Sequence, residues 1–90
     1  MDHRDERKYV RLIVSRAVEF MVSGRRYYGV ISSESDGGVF IETRGRFHQG
    51  QEIRLDYLSP QGIQIQKTGE IVRVTTDGIA VRFRHPGYAR

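Results

Sequence analysis

The chain has 90 residues, no cysteine, and 15 basic against 11 acidic side chains, for a formal charge of +4. That length supports one domain with a single small core, and the lack of cysteine excludes a disulfide framework and a thiolate zinc site, which fits a reducing cytoplasm better than secretion. No apolar run exceeds three residues, as at Leu12–Val14, against the roughly 20 needed to cross a bilayer, so a soluble protein without a membrane helix is expected.

Taken in order, residues 1–6, with Asp2, Arg4, Asp5 and Glu6, predict a flexible or partly helical arm, prolonged to residue 11 by Arg7, Lys8 and Arg11. From residue 12 to 84 the apolar residues recur with period two, the signature of half-buried strands. Val18, Phe20 and Val22 alternate with Glu19, Met21 and Ser23, and Ser23-Gly24-Arg25-Arg26 reverses the chain. In the adjacent pair Tyr27-Tyr28 one ring must face the interior and the other water. Ser33-Glu34-Ser35-Asp36-Gly37-Gly38 is a second reversal, where glycines permit conformations a larger residue resists. Val39 and Ile41 then alternate with Phe40 and Glu42, and residues 43–50 form a polar connection closed by Gly50. Ile53, Leu55 and Tyr57 make a fourth strand, Ser59-Pro60-Gln61-Gly62 a hairpin turn, and Ile63 and Ile65 alternate with glutamines. Ile71, Val72 and Val74 lead into Thr75-Thr76-Asp77-Gly78, where Asp-Gly supplies a residue tolerant of positive φ before Ile79, Val81 and Phe83. Six strands on short turns are too many for one ribbon with two exposed edges, and closing them into a small antiparallel barrel removes those edges. The sequence therefore predicts an all-β, six-stranded single domain, with residues 85–90 as a tail and no terminal helix.

Two segments carry the chemistry. Arg7 and Arg11 put two guanidinium forks four residues apart, each able to grip phosphate oxygens or the O6/N7 edge of a guanine. Ser33, Ser35 and Gly38 are suited to the opposite wall of such a site. Of the 15 basic residues 13 are arginine, which favours an anionic partner, although those at 16, 25, 26, 44, 46, 54, 73, 82 and 84 are distributed as expected for outer faces of strands. His3, His48 and His85 lack metal-ligand spacing, and no nucleophile elbow or paired acid and base carboxylates stand out, so neither a metal nor catalysis is expected.

With these segments in place the chain resembles the PilZ domain, a bacterial six-stranded barrel that commonly binds cyclic di-GMP through an RxxxR segment before the first strand and a D/NxSxxG segment after the second. The resemblance spans roughly residues 4–84. Arg7 and Arg11 match the first motif, with Lys8 where the family often has another basic residue. Ser35 and Gly38 match the serine and glycine of the second. Val39-Phe40-Ile41-Glu42-Thr43, Gly50 and Gly78-Ile79-Ala80-Val81-Arg82-Phe83 also look like the family. Ser33 stands where the family usually has aspartate or asparagine, and its single hydroxyl offers less to a guanine edge than a carboxylate does. Glu34 replaces an apolar residue and brings negative charge near an anionic ligand unless the pleat turns it away.

The resemblance implies a binding protein without chemistry. On that resemblance cyclic di-GMP is expected to be held by Arg7, Lys8, Arg11, Ser33, Ser35 and Gly38, with the arm becoming ordered over it and an unidentified downstream protein reading the closed state. Two alternatives remain from the residues. One is a ligand-free adaptor, favoured if Met21, Phe40 or Phe47 lies on an exposed apolar patch. The other is a basic barrel binding single-stranded nucleic acid through Arg25, Arg26, Tyr27 and Tyr28. The sequence leaves monomer and homodimer both open.

Overall fold

The computed structural model describes residues 11–84. Among them the chain forms six strands and no helix: β1 (Leu12–Val22), β2 (Arg25–Ser35), β3 (Gly38–Glu42), β4 (Glu52–Leu58), β5 (Gln64–Val74) and β6 (Gly78–Phe83). All neighbouring pairs are antiparallel, and the strands close into a barrel in the order β1-β2-β3-β6-β5-β4. The interior is made by the alternating residues: Val18, Phe20 and Val22 from β1, Val39 and Ile41 from β3, Ile53, Leu55 and Tyr57 from β4, and Ile79, Val81 and Phe83 from β6, joined by Ile31 and Ile71. Their burial drives closure, since each large apolar side chain removed from water contributes about 1.5–3 kcal/mol.

In this order β3 and β4 stand on opposite sides of the barrel, so residues 43–51 must cross one open end. A wholly polar connection would leave that end wet. Phe47 instead plugs it, its ring 5.9 Å from Phe20 and 4.9 Å from Tyr27, with Phe20 stacked on Tyr27 at 5.4 Å. Phe47 is thus buried and belongs to the core, not to a surface patch. Tyr27 packs against this core while Tyr28 is exposed, as the pleat requires.

Two further expectations are corrected. Ile63 precedes β5 and is 64% exposed. The Ser59 turn captures it: the Ser59 amide donates to the Ile63 carbonyl at 2.8 Å, and the Ser59 hydroxyl accepts from the amides of Gln61 and Ile63. Gly78 is absent from the positive-φ residues, so the Asp77-Gly78 turn does not use glycine for a left-handed conformation. The Thr75 hydroxyl holds that turn by accepting from the amides of Asp77 and Gly78. Glycine is needed at 78 for space: a Cβ there would lie 2.0 Å from the Ile41 carbonyl oxygen across the β3–β6 pair.

Three β-bulges decide which side chains face out. They fall between Ile13 and Arg16 in β1, between Ile31 and Ser33 in β2, and between Ile71 and Arg73 in β5. Each adds a residue and exchanges the faces of everything beyond it.

Closure is made where β1 meets β4, and only over Val18–Met21 against Arg54–Tyr57. Glu19 stands directly opposite Asp56 in that ladder. Arg26 pairs with Glu19 at 3.0 Å, whereas the buried Asp56 Oδ1 has no hydrogen-bond partner.

Candidate nucleotide-binding face

The register brings the second motif together on the outside of the β2–β3–β6–β5 sheet. Residues directly opposite each other share a face, so Ile13, Ser33, Phe40, Ala80 and Arg73 form one row across five strands. Ser35, Gly38, Arg82 and Glu70 form the next. Between them Glu34, Val39, Val81 and Ile71 turn to the other side. Ser33, Phe40, Ala80 and Arg73 of the first row and Ser35, Gly38 and Arg82 of the second, with Arg11 and Arg84, line a cleft of about 490 Å³ with a largely apolar floor. This volume suits a small ligand.

Each expected residue within 11–84 lies at this cleft. Ser33 is buried, and the Arg11 guanidinium donates to its hydroxyl at 3.4 Å. The Ser35 hydroxyl accepts from the Gly37 amide at 3.2 Å and pins the turn that leads into β3. Gly38 allows the close approach of β3 to β6, since a Cβ would sit 2.0 Å from the Val81 carbonyl oxygen. Arg7 and Lys8 lie outside the described residues.

Phe40, Ala80, Arg73 and Arg82 also line the cleft, and sequence reasoning did not assign them to the site. Phe40 was readable as an outward residue of its strand. Arg73 was hidden because simple alternation from the buried Ile71 points it inward, and only the bulge at Val72 restores it to the outer face. Arg82 pairs with Glu70 at 3.6 Å and Arg84 with Glu52 at 3.2 Å, so these do behave as surface arginines.

Arg16 does not. It stands opposite the core residue Ile31, is half-buried, and makes a two-pronged ion pair with Glu34 at 3.0 and 3.2 Å. Glu34 borders the cleft, and its carboxylate is neutralised there by Arg16. The Glu34 bond raises the Arg16 pKa further above its ordinary value. Tyr57 lies alongside, and burial, reinforced by the Glu34 charge, raises its hydroxyl above the usual phenol value. The unfolded phenol ionises near pH 10, before the folded one, so the stability that depends on neutral Tyr57 is complete below that pH and lost as pH rises through the folded pKa. Tyr57→Phe is expected to lose less stability than the parent as pH rises above about 10 in denaturant titrations, because it lacks the ionising group.

Among the described residues no group of three His, Asp or Glu side chains is placed to hold a metal ion, and no helix is long and apolar enough to cross a membrane. A search of curated protein sequences finds no match. Among solved structures the chain is similar to the Bacillus subtilis inhibitor of motility MotI/DgrA (TM-score 0.81, 17% identity, 93% of this chain) and spans 44% of that protein's length. It is also similar to the PilZ domain of CeSA from a cellulose synthesizing bacterium (TM-score 0.73, 15% identity, 87% of this chain and 83% of that one). At such identities these two likenesses establish the fold. The PilZ domain profile matches residues 5–87. With nearly the whole length covered, and the barrel closed as that fold requires, this chain belongs to the PilZ domain family.

Proposed function

We propose that the chain is a cytoplasmic, non-catalytic receptor for cyclic di-GMP that binds on the β2–β3–β6–β5 face. One observation carries this reading: Arg11, 22 residues before Ser33 in the chain, lines one cleft with an apolar floor together with Ser33, Ser35 and Gly38. Binding draws the segment carrying Arg7 and Lys8 onto this face, and the ligand's preference for the closed arrangement supplies the signal to a protein partner. The Arg16–Glu34 pair removes the main electrostatic objection, because the acidic residue of the motif is already answered by a cation.

Isothermal titration of the chain with cyclic di-GMP tests the reading. Arg11→Ala should weaken binding roughly 10- to 150-fold, the worth of one charge-assisted hydrogen bond at about 1.5–3 kcal/mol. Arg7→Ala/Arg11→Ala should remove it, and a single-stranded oligonucleotide should give no heat. Absence of binding by the parent chain, checked with a second probe, would overturn the receptor.

A second reading, a protein adaptor, is favoured by a different surface. Tyr28 (67% exposed), Leu58 (57%) and Ala17 line a second cleft on the outside of β1, β2 and β4, away from the ligand face. Met21 and Phe40 are only partly exposed and Phe47 is buried, so the three residues first considered for such a patch do not form it. The likeness to an inhibitor of motility supports a protein partner in either case.

A further inference from the structure

The ligand face has a second wall. Ser33 and Arg73 end the row that crosses β2, β3, β6 and β5, about three strand spacings or roughly 14 Å apart, and Phe40 and Ala80 lie between them. Arg73 reaches this face only because Val72 is bulged. A bulge gives up regular ladder pairing, and bulges recur where a strand must re-aim a side chain beside a site. Arg82 in the neighbouring row is paired with Glu70, whereas Arg73 makes no ion pair among the described residues and stands exposed at the cleft.

The floor decides what Arg73 meets. Phe40 and Ala80 offer carbon surface and no donor, so a phosphate laid there would lose hydration without compensation. A purine laid flat on Phe40 keeps its polar edge free and gains stacking. Its edge then faces the guanidinium, whose fork matches the O6 and N7 acceptors of guanine and is not matched by the N7 acceptor and N6 donor of adenine. Resting on the receptor reading above, we infer that Arg73 is a base-specificity residue: it reads the guanine that stacks on Phe40, while the phosphates remain with the arginines on the β1 side.

The test compares cyclic di-GMP with cyclic di-AMP, by titration, on the parent chain, Arg73→Ala, Arg73→Lys and Arg11→Ala. Arg73→Ala should lose cyclic di-GMP affinity and with it a roughly 5- to 150-fold preference for guanine over adenine, the range for one bidentate contact. Arg73→Lys should not restore the preference, since a point charge lacks the fork. Arg11→Ala should weaken both ligands and keep the ratio. An unchanged ratio in Arg73→Ala, whether affinity holds or falls equally for both ligands, would overturn the assignment while the receptor stands. A parent chain that binds neither ligand would overturn both.

Discussion

Gly38→Ala is expected to lower the folding free energy by about 3 kcal/mol, at the upper end for an inserted methyl group, and to abolish ligand binding with it. The added Cβ would lie 2.0 Å from the Val81 carbonyl oxygen and 3.0 Å from its carbon. Both are backbone atoms, so no rotamer change relieves the overlap, and β3 must move away from β6. Arg82, directly opposite Gly38, and Phe40 and Ala80, two pairs further along, would shift together, which distorts the floor of the cleft. At roughly 4–8 °C per kcal/mol for a domain of this size, the melting temperature should fall by about 12–24 °C. Thermal unfolding followed by circular dichroism, with a titration of cyclic di-GMP at a temperature where the variant is still folded, checks both halves. A variant with parental stability would show that β3 and β6 have room the register denies them.

Phe20→Ala should be worse for the fold and indifferent to the chemistry of the site. Phe20 is 0% exposed and joins Tyr27 and Phe47 in the cluster that plugs the barrel end. Removing its ring forfeits its transfer energy and leaves a cavity that Tyr27 and Phe47 do not fill, about 3–5 kcal/mol. A domain of this length has roughly 5–13 kcal/mol in total, so a large part of the population should unfold at moderate temperature. Urea titration measures the loss. Phe47→Ala should show a smaller effect of the same kind, because Phe47 sits on a loop that can partly collapse into the gap.

Most of the barrel is legible in the sequence because its strands obey a simple alternation and its turns carry their own signals. The run Val18, Phe20, Val22 and the run Ile79, Val81, Phe83 are buried as their spacing dictates. Ser33, Ser35 and Gly38 can be picked out because a hydroxyl-rich turn with glycine is unusual beside paired arginines. What stays hidden is whatever depends on counting across a bulge. Nothing local announces that Val72 is the extra residue, yet it decides whether Arg73 faces the core or the cleft. The pleat leaves the turning of Glu34 open in the sequence, but its pairing with Arg16 escapes: an ion pair between residues 18 apart appears only once β1 and β2 are in register. Phe47 is missed because a single aromatic in a polar stretch looks like loop until topology sends that loop across the barrel.

The short ladder between β1 and β4 makes the barrel unequal around its circumference. It holds the fewest strand partners and sets Glu19 against Asp56, whose buried oxygen gains no hydrogen bond in return. Like charges opposite one another weaken a ladder, so the barrel is expected to open first along this line. Amide hydrogens of Val18–Met21 and Arg54–Tyr57 should exchange by partial opening, ahead of those held by β3 and β6. The transiently opened form is a twisted sheet with two bare margins, each ready to pair with another strand. Self-association by strand exchange therefore has a natural starting place in this protein, and it lies on the side of the molecule away from the ligand face.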